Sequence, residues 1–357
     1  MANKRMLISG NEAIAQGALD AGCRFYAGYP ITPQNELIAY MAKHMPAAAP
    51  CAPACPAGIF IQAESEIAAI SMIYGASAAG VRAMTSSSSP GISLKQEGIS
   101  YIAGAQLPAV IVNIMRGGPG LGNIAPSQAD YFQATRGGGH GDYRLIVFAP
   151  DSVQEAYDLT RLSFDLADKY RCPAMILGDG ILGQMMEPAK FSLAKSSLPL
   201  KPWALSGCKG RAPNVVKSFY LREGDLEKFN LKLQKKYASI ELKEQRWEEL
   251  FLNDAKVVLV AYGTLARVAK SAITQLRAQG KKVGLIRPVS LWPFPKKAFS
   301  EMNSGKRRCL VIEMSYGQMV DDVRLTVNGS AKVDFLGRSG GGVPTEEEII
   351  KKVNKIL

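Results

Sequence analysis

The stretch IFIQAESEIAAISMIYGASAA, residues 59–79, decides the fold. It opens with a short apolar run typical of a buried strand, Ile59–Gln62, and continues into an alanine-rich helical segment over 64–79. The same change of pattern recurs on both sides. Strands that alternate with helices predict a parallel sheet covered on both faces. Further strands are predicted at 25–28, 83–85, 109–114, 145–148 and 174–177, and helices at 11–21 and 152–167.

A second alternating block begins at Lys256. After a proline-rich stretch, residues 226–240 carry apolar side chains at helical spacing, which predicts an amphipathic helix between the two blocks. We therefore predict an α/β domain over 1–195, a linker and helix over 196–254, and a smaller α/β domain over 255–357. The predicted strands of the smaller domain are VVLVAYG (257–263), KVGLI (282–286), CLVIE (309–313) and VDFLG (333–337), and its predicted helices are at 265–279, 318–327 and from Thr345.

Charge and hydropathy exclude two classes of protein. The net charge is +12, but the basic residues are scattered, and the densest region, 228–249, alternates Lys with Glu. That pattern is typical of a solvated helix face, so we predict no nucleic-acid binding. No apolar run reaches the roughly 20 residues of a membrane span, and no signal peptide is recognisable. We expect a cytoplasmic protein without membrane association.

The cysteines predict free thiols rather than disulfides or metal ligands. There are six in 357 residues, at 23, 51, 55, 172, 208 and 309. Cys51 and Cys55 lie in CAPACPAG (51–58), which reads as a loop insertion, and no second ligand pair stands at metal-binding spacing. No closely spaced four-cysteine run is present, so any iron–sulfur cluster must belong to another chain.

The glycine-rich and histidine motifs carry little specific chemistry. The motif GDG (178–180) resembles the start of the diphosphate and Mg²⁺ motif of thiamine enzymes, but the nearest suitable asparagine, Asn214, lies beyond proline-rich sequence. We interpret GDG as the turn after a strand. His140, in GGGHGD (137–142), is compatible both with a structural role in the loop and with a substrate contact.

Two acids flank the decisive strand-to-helix junction. One acid in a first helical turn is ordinary, because it complements the helix dipole. The dipole accounts for only one of Glu64 and Glu66, so the other acid needs a further explanation. If the helix buries its Ile67, Ile70 and Met72 side, a carboxylate beside that side is poorly hydrated. Such a carboxylate is suited to proton exchange with a ring nitrogen.

Seven motifs follow one another along the chain: YPITP (29–33), QAESEIAAI (62–70), SSPGISLKQEG (88–98), MRGGPGLGNIAPSQADYFQATRGGGHGDYR (115–144), VAYGT (260–264), SLWPFP (290–295) and YGQM (316–319). In these motifs and their order the sequence resembles the alpha subunit of 2-oxoacid:ferredoxin oxidoreductases. The resemblance spans nearly the whole chain. The segment SSPGISLKQEG is expected to be a loop, and the last three motifs resemble the family's transketolase-C-like domain.

The resemblance implies a fold and a reaction. The fold is a parallel-sheet domain of the thiamine-diphosphate pyrimidine-binding type, followed by a smaller transketolase-C-terminal-like α/β domain. The reaction is oxidative decarboxylation of a 2-oxoacid with coenzyme A, giving an acyl-CoA and CO₂ and reducing ferredoxin. A beta subunit supplies the diphosphate and Mg²⁺ side, which fits the missing motif. Gamma and ferredoxin-like delta subunits are also implied, with the iron–sulfur clusters on partner chains.

The resemblance also implies roles for individual residues. Glu66 hydrogen-bonds the aminopyrimidine ring nitrogen of the cofactor, and Glu64 is a supporting acid. Thr32 lies near the substrate, where its hydroxyl can donate to a developing oxyanion. Pro30 shapes the pyrimidine pocket. Arg116 holds the 2-oxoacid carboxylate with its planar guanidinium, although an exposed strand-end arginine is the ordinary alternative.

Within the family, the sequence after Arg116 is most similar to the 2-oxoisovalerate (3-methyl-2-oxobutanoate) branch. 2-Oxoglutarate and pyruvate remain alternative substrates. A non-redox, transketolase-type thiamine subunit is a further alternative, but a self-sufficient one needs the complete diphosphate motif. The loop CAPACPAG (51–58) departs from the family pattern.

Overall fold

The computed structural model describes residues 5–48, 57–191, 198–304 and 307–357. The loop that contains Cys51 and Cys55 lies outside the described residues. Among the described residues, the strands form one sheet of seven strands, one of five and one of two. No described helix is both long enough and apolar enough to span a bilayer.

The strands and helices follow the alternating pattern of the sequence. The strands are β1 (Met6–Ser9), β2 (Phe25–Gly28), β3 (Ile59–Gln62), β4 (Ala83–Ser87), β5 (Val110–Met115), β6 (Ile146–Phe148), β7 (Ala174–Asp179), β8 (Met186–Ala189), β9 (Trp247–Leu250), β10 (Val257–Val260), β11 (Val283–Pro288), β12 (Ser290–Trp292), β13 (Arg308–Glu313) and β14 (Lys332–Gly337). The helices are α1 (Gly10–Asp20), α2 (Asn35–His44), α3 (Glu66–Ala78), α4 (Ser89–Gly104), α5 (Tyr131–Thr135), α6 (Val153–Tyr170), α7 (Gly180–Gln184), α8 (Asp225–Lys243), α9 (Thr264–Ala278), a 3₁₀ helix (Lys296–Ser304), α10 (Met319–Val327) and α11 (Glu346–Ile356).

The large sheet has the order β12-β6-β7-β5-β4-β2-β3. Its strands β2 to β7 pair in parallel, which confirms the predicted parallel α/β sheet. The central strands β5 and β7 are buried along their whole length, as expected for strands covered on both faces. Helix α1 packs on α6, and α3 packs on α4.

Helices α3 and α4 approach closely because a glycine lies between them. A Cβ built on Gly98 would stand 2.4 Å from Ile70 Cγ2, so any larger residue would separate the two helices. This contact holds the second turn of α3 against the third turn of α4. The two helices begin just after the carboxyl ends of β3 and β4.

Two local expectations were wrong. Residues 88–98 are not a loop: from Ser89 they form the first half of α4, with Pro90 in the first turn, where its missing N–H costs nothing. Ile92 and Ile99 are buried at helical spacing, so packing stabilises this helix. Ile67 is 55% exposed, because α3 turns its Ala69, Ile70 and Ile73 side inward instead.

The second sheet has the order β14-β13-β10-β11-β9. Segment 196–254 carries helix α8 and also β9, which pairs antiparallel with β11 and so joins this sheet. Strand β12, from the second block of sequence, pairs antiparallel with β6 at the edge of the large sheet. The two α/β units are therefore joined by a shared strand pairing as well as by side-chain contacts.

Candidate functional site

The two acids of the ESE string occupy different environments. Ser65 caps α3, its hydroxyl accepting from Ala68 N at 3.1 Å, and Glu66 is the first residue of the helix. Glu66 is only 7% exposed, whereas Glu64 lies in the preceding turn and is exposed. The cap therefore orients one acid into the protein and leaves the other in solvent.

The Glu66 carboxylate lies against the first turn of α4. A Cβ on Gly91 would stand 2.7 Å from Glu66 Oε1 and 2.1 Å from Ser87 Oγ. Glycine is therefore required at position 91, because any side chain there would displace the carboxylate or the serine. The absence of a side chain lets the carboxylate and the hydroxyl both pack against the backbone at Gly91.

A buried polar cluster continues from this point across the ends of β2 and β4. The hydroxyls of Tyr26 and Ser86 are 2.5 Å apart, and Ser86 Oγ donates to Gln34 Oε1 at 2.6 Å. Gln34 Nε2, Ser87 Oγ and Ser88 Oγ are buried and have no hydrogen-bond partner within the described part of the chain. Buried polar atoms without partners are costly, so these atoms are suited to bind a polar ligand.

Arg116 follows β5 and reaches back towards the YPITP loop. Its Nη1 donates to the main-chain oxygen of Thr32 at 3.1 Å, and its Nη2 donates to Leu121 O at 3.2 Å. Arg116 is 7% exposed, so the ordinary alternative of an exposed strand-end arginine does not apply. Its Nε is buried and, as far as the described residues extend, has no acceptor.

The structure brings Thr32 to Arg116 but leaves Pro30 at the surface. Thr32 is half-buried, and its Oγ1 accepts from Asn35 Nδ2 at 3.2 Å. Pro30 is exposed in this chain. The threonine hydroxyl can still donate its own proton to a neighbouring group.

Sequence reasoning missed a network that supports Arg116. Ser89 Oγ accepts from Arg116 N at 3.0 Å and donates to Asp130 Oδ2 at 2.6 Å, while Asn113 Nδ2 donates to the same oxygen at 2.9 Å. Burial raises the pKa of Asp130, and the two donors oppose the rise. The signal for this network in the sequence was Asn113, a polar residue inside the apolar run VIVNIM (110–115).

A second missed residue, Lys95, is completely buried on α4. Its Nζ donates to Thr85 Oγ1 at 2.7 Å and to Ser86 O at 2.9 Å. Burial lowers the pKa of Lys95 to about 7, and the Glu66 carboxylate opposes that fall. Lys95 lies within the motif SSPGISLKQEG, but its burial became visible only once that segment proved to be helical.

The remaining candidates make contacts within the chain. Asp179 of GDG caps α7 and accepts from Thr264 Oγ1 at 2.9 Å, so this turn after β7 docks the second α/β unit. Asn214 Nδ2 donates to main-chain oxygens of its own loop. His140 is exposed, with Nδ1 3.3 Å from Ser100 Oγ. Over the residues that the structure describes, no group of three or more His, Cys, Asp or Glu is placed to hold a metal ion.

A parallel α/β sheet that carries a buried acid at a helix start, with buried polar atoms unpartnered among the described residues, is the arrangement that the resemblance predicts for the thiamine-binding subunit. Two family models match the chain. The thiamine-diphosphate-binding domain of pyruvate flavodoxin/ferredoxin oxidoreductases matches residues 16–204, and core domain II of pyruvate:ferredoxin oxidoreductase matches residues 255–349. The chain belongs to this family of oxidoreductase subunits. The resemblance expected from the motifs is confirmed.

Individual relatives agree. Ketoisovalerate oxidoreductase subunit VorB of Methanothermobacter marburgensis is 50% identical, covering 98% of this chain and 97% of the relative. 2-Oxoglutarate synthase subunit KorA of the same organism is 36% identical, covering 97% of each chain. These relatives are named as subunits of larger enzymes.

Two solved structures are similar to this fold. The 2-oxoglutarate:ferredoxin oxidoreductase from Magnetococcus marinus has a TM-score of 0.87 at 27% identity, and its structure holds 2-oxoglutarate, coenzyme A and succinyl-CoA. The match covers 99% of this chain and 65% of that chain. A split-gene transketolase, at 13% identity and a TM-score of 0.59, shares the fold alone. The expected fold class, including its transketolase-like character, is confirmed.

Proposed function

We propose that this chain supplies the pyrimidine side of the thiamine diphosphate site in a coenzyme A-dependent 2-oxoacid:ferredoxin oxidoreductase. The reaction converts a 2-oxoacid, coenzyme A and two oxidised ferredoxins into an acyl-CoA, CO₂ and two reduced ferredoxins. The observation that carries the proposal is Glu66, a buried acid packed against Gly91 beside Ser87, whose buried hydroxyl has no partner among the described residues.

The residues around Glu66 fit the ring of the cofactor. When bound, thiamine diphosphate supplies a nucleophilic carbon and accepts the electrons released by decarboxylation. Glu66 would share a proton with the ring nitrogen, since its cap and burial fix the carboxylate in one place. Gln34, Ser87 and Ser88 offer buried polar atoms to the rest of the ring. Glycine at position 91 lets the Glu66 carboxylate lie against the backbone of α4, which helps to hold it in place.

Arg116 and Thr32 would hold the substrate. The guanidinium of Arg116 matches a carboxylate in shape and charge, and its Nε is unpartnered among the described residues. Thr32 lies directly beside it and presents a hydroxyl that can donate to the 2-oxo oxygen. Pro30, exposed in the lone chain, would contact the pyrimidine once a partner covers this surface.

Partner subunits would complete the enzyme. The GDG turn is used for docking the second α/β unit, so the diphosphate and Mg²⁺ side of the cofactor site falls to a beta subunit. Gamma and ferredoxin-like delta subunits would carry the iron–sulfur clusters that pass electrons to ferredoxin. The relatives' naming as subunits supports this arrangement.

The substrate we propose is 2-oxoisovalerate. The ketoisovalerate relative is 50% identical, whereas the 2-oxoglutarate relative is 36% identical over a similar length. 2-Oxoglutarate is the second candidate. The two acids differ in the end of the side chain, which is apolar and branched in one and a carboxylate in the other.

The test is anaerobic purification of the chain with the subunits encoded beside it. We expect coenzyme A-dependent ferredoxin reduction with 2-oxoisovalerate, at a higher kcat/KM than with 2-oxoglutarate or pyruvate. The lone chain should be inactive, free of iron, and weak in binding thiamine diphosphate with Mg²⁺ by calorimetry. Tight stoichiometric binding by the lone chain contradicts the divided site, and a preference for 2-oxoglutarate contradicts the substrate assignment.

A further inference from the structure

A lysine with no exposed surface is unusual, because burying an ammonium ion is costly unless it is paired. Lys95 is buried on α4, and its Nζ donates to Thr85 Oγ1 and to Ser86 O at the end of β4. Both acceptors are neutral. They fix the ammonium in place but do not balance its charge.

The Glu66 carboxylate is the negative group on this side of α4. It lies against Gly91, one helical turn before Lys95, at the point where Gly91 also meets Ser87. Ser87 follows Ser86, whose main-chain oxygen accepts from Lys95. Residues four apart on a helix share a face, so the acid and the lysine border the same buried space.

The other titratable groups near this point do not pair with Lys95. Tyr26 contacts Ser86, and burial raises the pKa of its phenol, which stays neutral near pH 7. Asp130 lies nearer the start of α4 and is bonded to Ser89 and Asn113 rather than to the lysine. Within the described residues, Glu66 is thus the charge that Lys95 faces from the neighbouring helix α3.

We propose that Lys95 is a positioning residue that acts through Glu66. Its ammonium, held by Thr85 and Ser86, supplies the positive charge that balances the buried Glu66 carboxylate. This inference rests on the proposed function, because it assigns Lys95 to the same cofactor site. It adds a charge pair to the proposed contact between Glu66 and the ring nitrogen.

The proposal has a pH dependence with a definite sign. Burial lowers the pKa of Lys95 to about 7. The ammonium is therefore present below about pH 7 and is lost as the pH rises through that value. Above it, Glu66 faces a neutral amine, and the charge balance beside the cofactor ring changes.

The experiment uses Lys95→Met in the assembled enzyme, since methionine keeps an unbranched chain of similar length without the charge. Near-ultraviolet circular dichroism of bound thiamine diphosphate is recorded from pH 6 to 9. We expect the wild-type signal to change with a midpoint near pH 7 and the variant to lose that transition. The variant's kcat should fall about tenfold or more, with an unchanged KM for coenzyme A. The same transition in the variant would overturn the proposal.

Two further variants separate this role from a structural one. Lys201→Met removes a partly buried lysine, whose side chain is 10% exposed and pairs with Asp168 at 2.6 Å on a different part of the fold. It should lower thermal stability but keep the dichroism transition. Thr85→Val removes one acceptor of the Lys95 ammonium and should shift the transition in an enzyme that still folds. An unshifted transition counts against the proposal.

Glu66→Gln distinguishes failure of the proposed function from failure of the Lys95 role. If Glu66→Gln retains wild-type activity and dichroism, Glu66 has no cofactor role and the proposed function falls. If Glu66→Gln is inactive while Lys95→Met keeps the wild-type transition, only the role of Lys95 is wrong.

Discussion

Arg116 Nη1 donates to the main-chain oxygen of Thr32 at 3.1 Å, across 84 positions of sequence. The bond ties the loop after β5 to the loop after β2, at the carboxyl ends of the two strands that flank β4 in the large sheet. Ligands of open α/β sheets bind at this end. The two residues proposed to contact the substrate are therefore held in one place before any substrate arrives.

We expect Arg116→Lys to raise the KM for the 2-oxoacid about 5- to 100-fold and to leave the KM for coenzyme A nearly unchanged. Lysine keeps the charge but loses the planar pair of donors, which costs about 1 to 3 kcal/mol. Steady-state kinetics of the assembled enzyme give both constants. Arg324→Lys, at an exposed ion pair with Asp321, is the matched control and should have no effect. An equal rise in both constants contradicts the carboxylate role.

We expect Gly91→Ala to abolish most cofactor-dependent activity, because the new Cβ would stand 2.7 Å from Glu66 Oε1 and 2.1 Å from Ser87 Oγ. Gly75→Ala, in helix α3, is the control, since a Cβ there meets nothing within 4 Å and alanine favours the helix. Activity and calorimetric binding of thiamine diphosphate should be measured on both. Wild-type binding and activity in Gly91→Ala would contradict the claim that the position of the Glu66 carboxylate matters for the cofactor.

Docking of the two α/β units should depend on Gln128. Its Nε2 donates to Tyr262 O at 2.9 Å, and its Oε1 accepts from Met314 N at 3.0 Å. Gln128→Ala leaves both buried main-chain groups unpaired, which should lower the free energy of unfolding by about 2 to 4 kcal/mol. Denaturant unfolding measures the change. Gln275→Ala, at an exposed contact, is the control and should change the free energy of unfolding little. Equal losses of stability in Gln128→Ala and Gln275→Ala would refute the docking role.

The fold was predictable where one pattern dominates. The strand at 59–62 and the helix after it could be predicted, because a short apolar run is followed there directly by an alanine-rich helical segment. Segment 88–98 was misread because its Ser, Pro and Gly residues are typical of loops, while the packing that makes it helical comes from α3. Strands β9 and β12 are short edge strands whose partners lie outside their local sequence.

The site was predictable only in part. Glu66 was chosen over Glu64 by resemblance to the family, and the structure buries Glu66 and exposes Glu64. Lys95 and Asp130 could not be identified, because a single sequence does not show which charged residues are buried. Burial of each depends on contacts with distant strands, at Thr85 for the lysine and Asn113 for the aspartate.

The central claim is that Glu66 exchanges a proton with the ring of thiamine diphosphate, and the most direct measurement is hydrogen–deuterium exchange at the thiazolium C2 of the bound cofactor. It should be compared between Glu66→Gln and Glu64→Gln in the assembled enzyme. An amide of the same shape can hydrogen-bond but cannot hold the proton, so Glu66→Gln should slow exchange by about 100- to 10,000-fold. Glu64→Gln should stay near the wild-type rate, because that acid is exposed. Wild-type exchange in Glu66→Gln contradicts the account, and slow exchange only in Glu64→Gln assigns the role to the other acid.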